Sequence, residues 1–435
     1  MIAALEAAGW RYSPEPSEAD LIIINSCSFI APAKEESIDA VMGMRRLHPA
    51  KRILLAGCLA QRYASILSTE LPEVDGIFGN RSPERIVDMV DGVMAGERPV
   101  LVPGGSEREA AAPGARPLRR GRLLSFPGSA YLKIAEGCAN RCTFCAIPLI
   151  RGGLVSRPPG EIAAEAAALI ESGAREIVLV AQDSASYGTE RPGEPSGGLG
   201  RLLERLLSID GDFWLRLLYF HPDRFDLSLL DTFAAEPRLL PYFDLPFQHA
   251  ARSVLRRMGR TGTADSYLGL IETIRSRLPA AVVRSTFLVG FPGEGAEEFA
   301  ELLRFQELAE LDWLGAFAYS REEGTPAYRM NVTADKRARR AEVLRRVAAV
   351  EEAQLPITER RLDRFIGKRL DVLVEERIPG ESLAIGRAYL HAPEVDGSVV
   401  VRCEGASPAA GERLSCDIVQ RNGIDLEAVP HVRPA

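Results

Sequence analysis

The chain has 435 residues, 46% of them hydrophobic and 26% charged, the profile of a globular protein of about two to four domains; collagen, wholesale disorder and a membrane bundle are excluded. No run approaches the roughly 20 apolar residues of a spanning helix, and the N-terminus lacks the basic and apolar regions of a secretory signal, so a cytoplasmic location with no membrane partner is expected. The net charge of −7 means that nothing global draws the chain to phosphate backbones, and its seven cysteines point to metal binding or catalysis rather than to a disulfide framework.

Residues 3–8, closed by Gly9, read as the end of a helix that begins at Met1 without a cap. Leu21-Ile22-Ile23-Ile24 is a continuous apolar run of buried parallel-strand type, and residues 52–56 repeat it. Residues 33–47, 62–71 and 83–94 have helical spacing. The alternation predicts a small α/β domain over residues 1–96. Residues 97–125, rich in Pro, Gly, Ala and Arg, mark a linker. Its Arg116, Arg119, Arg120 and Arg122 read as a solvated stretch, with a binding stretch as the alternative.

A second alternation places strands at residues 131–135, 176–181, 214–219, 282–290 and 314–319, with helices at 161–172, 199–207, 264–277 and 297–311. Closed by a charged helix over residues 334–362, it predicts a complete or partial β/α barrel over residues 126–363, with its chemistry at the C-terminal ends of the strands. Short β-type runs at 370–374, 399–403 and 414–419, separated by Gly and Pro, predict a small β-barrel over residues 364–435. The expected class is α/β: an N-terminal α/β domain, a TIM-like barrel and a C-terminal β-barrel.

Cys138-Ala139-Asn140-Arg141-Cys142-Thr143-Phe144-Cys145 sets three thiols in a loop that Gly137 opens, just after a predicted strand. Cys138, Cys142 and Cys145 suit three irons of a [4Fe–4S] cube whose fourth iron stays open to a small molecule. The alternative, structural zinc, wants a fourth ligand that the stretch does not offer. Cys27 and Cys58 each follow a predicted strand directly, and in an open parallel sheet such loops share the edge where ligands bind. On spacing alone, two buried free cysteines are an equal reading. Cys403 and Cys416 read as small core residues.

Cys-x3-Cys-x2-Cys with Phe144 before its last cysteine resembles the signature of the radical S-adenosylmethionine enzymes. The resemblance implies that the open iron binds the amino and carboxylate groups of S-adenosylmethionine. One electron then cleaves the sulfonium to a 5′-deoxyadenosyl radical, which takes a hydrogen from an unactivated carbon. Phe144 would pack near the adenine, with a plain core aromatic as the alternative. Asn25-Ser26-Cys27-Ser28-Phe29-Ile30 and Gly57-Cys58-Leu59-Ala60-Gln61-Arg62-Tyr63 resemble the N-terminal domain of the methylthiotransferases. In that family three cysteines of this domain hold a second [4Fe–4S] cluster that supplies sulfur, so Cys27 and Cys58 are implied as two of its ligands. No residue before Cys27 matches the first ligand, and the chain is expected to start inside the domain, without that ligand or the first strand.

Further blocks resemble the same family: Pro148-Leu149-Ile150-Arg151-Gly152, Val180-Ala181-Gln182-Asp183, Val289-Gly290-Phe291-Pro292-Gly293-Glu294 and Tyr319-Ser320-Arg321-Glu322-Glu323-Gly324-Thr325. Phe243-Asp244-Leu245-Pro246-Phe247-Gln248-His249-Ala250 and Ala392-Pro393-Glu394-Val395-Asp396-Gly397 resemble its RimO branch. That branch implies methylthiolation of the β-carbon of one aspartate in small-subunit ribosomal protein S twelve, with S-adenosylmethionine as both methyl donor and radical source. An electron donor such as a flavodoxin or ferredoxin is implied as a further partner. The C-terminal region resembles the TRAM module, often an RNA binder. Its nine Lys and Arg against 11 Asp and Glu, a balance of −2 over residues 364–435, favour docking of a protein substrate over tRNA. The alternatives are a tRNA adenosine methylthiotransferase and a non-catalytic redox sensor on the ribosome. Gln182 and Asp183, at a strand end, are open to cofactor or substrate contact or to plain capping; His221 and His249 read as satisfied loop or core histidines.

Overall fold

The computed structural model describes residues 1–102, 125–191, 198–330, 336–403 and 408–431. Arg116, Arg119, Arg120 and Arg122 lie outside the described residues. The chain divides into two compact units. The first comprises Met1–Leu123, Glu136–Leu154 and Ser320–Arg329; the second comprises Leu124–Ala135, Val155–Tyr319 and Met330–Ala435. The loop carrying Cys138, Cys142 and Cys145 therefore belongs to the same unit as Cys27 and Cys58.

In the first unit, α1 (Ile2–Ala7) precedes a parallel sheet of β1 (Leu21–Ser26), β2 (Arg52–Gly57), β3 (Gly76–Phe78) and β4 (Val100–Leu101), in that order. α2 (Ala31–Leu47), α3 (Cys58–Glu70) and α4 (Ile86–Met94) connect the strands. The run in β2 is continuous because both faces of the sheet are covered. Ile53 and Leu55 pack with Val41, Leu59 and Leu67 on one side, while Leu54 and Ala56 pack with Ile86, Met89 and Val93 on the other. Two expectations need correcting. Ile22, Ile23 and Ile24 are only half-buried, because β1 is the edge of the sheet and is flanked on one side only. The sheet also continues past residue 96: β4, too short to show a period, pairs Val100 and Leu101 with Ile77 and Phe78 inside the expected linker. Segment 136–154 of this unit ends in α5 (Ile147–Arg151).

The second unit holds β5 (Ser129–Lys133), and two-residue strands β6 (Ala135–Glu136) and β7 (Val155–Ser156) flank the cysteine segment in sequence. β5, β8 (Glu176–Val180) and β9 (Trp214–Leu217) form one parallel sheet; β10 (Tyr242–Asp244), β11 (Val282–Val289) and β12 (Trp313–Ala318) form another. A parallel bridge from Leu215 to Leu239 joins them, giving a six-stranded partial barrel. Its helices are α6 (Pro159–Glu171), α7 (Gly198–Leu207), α8 (Leu229–Ala235), α9 (Arg252–Arg257), α10 (Ala264–Arg277) and α11 (Ala296–Ala309). α12 (Lys336–Asp363) leads into a closed barrel of β13 (Arg369–Arg377), β14 (Leu383–Arg387), β15 (Val399–Arg402), β16 (Arg413–Asn422) and β17 (Asp425–Pro430), ordered β13-β14-β15-β17-β16.

Cys403 and Cys416 belong to the core of this small barrel, with Val372, Val374, Val401 and Ile418, and burial pushes the Cys416 thiol up to about 12. Glu176 of β8 is fully buried between Arg216 of β9 and Arg387 of β14, at 2.7 Å from each. Burial works to raise this carboxyl, but the two guanidinium groups outweigh it and hold it down at about 2. Trp313 of β12 also donates its indole N–H to Leu390 O at 2.7 Å. The partial barrel and the small barrel are thus joined by buried polar contacts within one unit. Among the described residues, no helix is long and apolar enough to cross a membrane.

Candidate active site

β1 and β2 run parallel with Ser26 paired to Gly57, so Cys27 and Cys58 leave the sheet side by side in sequence register. Two hydroxyls lace the loops together: Ser26 Oγ donates to Ala56 O at 2.6 Å and Ser28 Oγ to Cys58 O at 3.0 Å. Gly57 has φ +102°, and a Cβ there would lie 2.6 Å from Ser26 O and 2.7 Å from Asn25 Oδ1. Only glycine can turn the chain so tightly that Cys58 becomes the first residue of α3. Cys27 is exposed and Cys58 half-buried. Asn80 Nδ2 and Arg151 Nη2 approach Cys58 Sγ at 3.2 and 3.4 Å.

The second cysteine loop is shaped by the same device. Gly137 has φ +73°, and a Cβ on it would meet Gly153 O at 2.1 Å. Cys138 N donates to Gly152 O at 3.3 Å, closing the ends of the loop, and Cys145 N donates to Cys142 O at 3.2 Å. The backbone N–H and side-chain amide of Asn140 both point at Cys138 Sγ, at 3.4 and 3.3 Å. All three cysteines lie outside any disulfide and are half-buried, as is Phe144. Among the described residues, no group of three His, Cys, Asp or Glu could hold a single metal ion. A cube asks for something else, one thiolate on each of three irons, and three thiols in a loop with N–H donors aimed at sulfur fit that group.

A buried carboxylate anchors these loops. Glu322, 1% exposed, accepts Lys34 Nζ of α2 and Arg62 Nη1 of α3, both at 2.8 Å, and Ser320 Oγ, also at 2.8 Å. Burial works to raise the Glu322 carboxyl, but Lys34, Ser320 and Arg62 outweigh it and hold it below the usual range. Arg62 also donates to Ser28 O at 2.9 Å and Glu323 O at 2.6 Å, which fixes the chain just after Cys27. Sequence reading quoted Arg62, Arg151 and Glu322 within family blocks without giving them roles, and it passed over Lys34 and Asn80. The signal in the sequence was a charged residue within each of those three blocks.

In the second unit, Gln182 follows β8, and its amide Oε1 is buried without a hydrogen-bond partner, so a ligand could satisfy it. Asp183 instead caps its own turn, accepting Ala185 N at 3.1 Å and His221 N at 3.2 Å. Burial, reinforced by Arg260, pushes His221 down to about 4. His249 is fully buried, accepts Ala251 N on Nδ1 at 3.0 Å and lies 3.5 Å from Glu294. The expectation that both are satisfied needs correcting, because His221 Nδ1 and His249 Nε2 are buried without a hydrogen-bond partner. The two blocks that resemble the RimO branch meet at Arg284, which contacts Asp244 of the first at 3.1 Å and Asp396 of the second at 3.5 Å.

Residues 1–79 match the uncharacterized protein family UPF0004, residues 132–306 the radical SAM superfamily and residues 366–430 the TRAM domain. The chain is 44% identical over 462 residues to the ribosomal protein uS12 methylthiotransferase RimO of Treponema denticola, covering 99% of this chain and 96% of that protein. It is 41% identical to the protein of the same name from Moorella thermoacetica, covering 98% of this chain and 93% of the other. Among solved structures, the radical S-adenosylmethionine methyltransferase TsrM from Kitasatospora setae shares the fold with a TM-score of 0.51. The identity is 16%, over 72% of this chain and 64% of that one. With the three matched domains in this order and relatives alike over almost their full length, the chain belongs to the RimO family of radical S-adenosylmethionine methylthiotransferases.

Proposed function

We propose that this chain adds a methylthio group to the β-carbon of one aspartate in ribosomal protein uS12, the substrate in its relatives' name. The observation that carries the two-cluster reading is the Ser26 to Gly57 register, which brings Cys27 and Cys58 out on one sheet edge in the unit that also holds Cys138, Cys142 and Cys145. In this reading Cys138, Cys142 and Cys145 hold one [4Fe–4S] cube with an open iron, and Cys27 and Cys58 are ligands of a second. When bound, the cubes and S-adenosylmethionine supply the electron, the radical, the methyl group and the sulfur.

The chain's own residues bind and orient. Asn140 directs two N–H groups at Cys138 Sγ, and the Gly137 turn keeps the loop closed on Gly152. Phe144, half-buried, offers a ring for the adenine; in the second unit, Gln182 keeps a buried, unpaired Oε1 that a bound N–H or O–H group would satisfy. Glu322 holds Lys34 and Arg62 so that the chain after Cys27 keeps its course. Its small barrel, acidic by two charges over residues 364–435, suits a basic ribosomal protein better than RNA. A flavodoxin or ferredoxin as electron donor and a cytoplasmic location complete the proposal.

The test is cofactor cleavage under reducing conditions. Cys142→Ala should abolish 5′-deoxyadenosine formation, and cleavage at the wild-type rate would overturn the assignment of the first cube.

A further inference from the structure

Cys58 differs from Cys27 in the company its sulfur keeps. Among the described residues no side-chain donor reaches Cys27 Sγ, whereas Cys58 Sγ receives Asn80 Nδ2 at 3.2 Å and Arg151 Nη2 at 3.4 Å. Neither donor is adventitious. Arg151 is 24% exposed and is held through Nη1 by an ion pair with Glu136, itself 14% exposed. Asn80 is fixed by its backbone N–H, which donates to Gln61 Oε1 at 3.1 Å, and its neighbour Arg81 donates to Ile150 O at 3.3 Å. An amide N–H and a guanidinium N–H, both donors, thus converge on one sulfur. Arg151 also ends α5, the helix entered directly from the loop of Cys138, Cys142 and Cys145.

We infer that Arg151 and Asn80 are positioning residues for Cys58 as a cluster ligand, setting the potential and retention of the second cube, and that Arg151 ties that ligand to the first cysteine loop. This rests on the reading that Cys58 ligates a second cube. Hydrogen bonds to a ligating sulfur stabilise the more negative, reduced cluster and so raise its potential; losing such a partner typically weakens metal binding about 10- to 100-fold.

The experiment uses the full chain with Cys138, Cys142 and Cys145 all changed to Ala, so that only the second cube is read. It is reconstituted anaerobically with ferrous iron and sulfide. Into this background go R151M, R151K and N80A, with circular dichroism to verify folding. The readouts are the midpoint potential from a titration followed by electron paramagnetic resonance and the rate of iron loss to a chelator. R151M and N80A should each lower the potential and speed iron loss about 10-fold, and R151K, which keeps the charge, should recover part of both. Wild-type potential and iron loss in R151M and N80A alike would overturn the inference alone. Failure of the parent background to take up iron would overturn the two-cluster reading and the inference with it. If R151M fails to fold, N80A, from a separate segment, carries the same test.

Discussion

Ser26 and Gly57 are register partners across β1 and β2, and each is followed at once by a cysteine. The pairing works only because Gly57 adopts φ +102° with ψ −153°, a conformation that is essentially glycine's own, directly against Ser26 O and Asn25 Oδ1. The geometry of the two thiols is thus written into a backbone turn.

Gly57→Ala should therefore cost at least about 1–3 kcal/mol in backbone strain alone. It should lower the melting temperature and reduce iron uptake in the chain whose first cysteine loop is intact. A variant with unchanged melting and iron content would show that the turn tolerates a side chain.

Glu176→Gln should destabilise the second unit by about 3–5 kcal/mol in a urea titration, because Arg216 and Arg387 lose their shared buried counter-charge. The acid limb follows with a definite sign. The carboxyl sits at about 2 in the folded chain against an ordinary value of 4.5, so its contribution is fully present above pH 4.5 and is lost as pH falls from there towards about 2. The Gln variant should lack that part of the acid-induced loss.

Asp396 carries the opposite sign. Burial works to raise its carboxyl and outweighs Arg284 and the Tyr242 hydroxyl, which donates to it at 2.6 Å, so it sits at about 6 against 3.8. Its folded form holds the proton more tightly, and the resulting stability is fully present below pH 3.8 and lost as pH rises through about 6. Asp396→Asn should flatten the stability curve across that window, and an unchanged slope in denaturation midpoints between the two limits would contradict it.

Iron and acid-labile sulfide after anaerobic reconstitution should reach about eight irons per chain, two cubes of four, with a group other than the missing family cysteine completing the second. About four would leave a chain able to cleave S-adenosylmethionine but without the second cube.

Much of this was legible in the sequence, and the reason is local. Alternating apolar and amphipathic runs gave the α/β domain, the partial barrel and the small barrel, and Cys138, Cys142 and Cys145 announce themselves by spacing alone. What escaped is what arises between distant segments. Asn80 and Arg151 reach Cys58 from 22 and 93 residues away, and Glu322 reaches Lys34 across 288. No periodicity marks such residues. Short elements were lost for a different reason: β10 was read as part of a motif, and β4 has two residues, fewer than one alternation needs. The half-burial of Ile22 to Ile24 depends on β1 being an edge, a property of sheet order and not of composition.

The most direct measurement offers the reduced, reconstituted enzyme both small ribosomal subunits and unmodified tRNA with S-adenosylmethionine, and reads each by mass spectrometry. The account predicts a methylthio group on one aspartate of uS12 and none on the tRNA; a methylthio group on tRNA adenosine alone would contradict it.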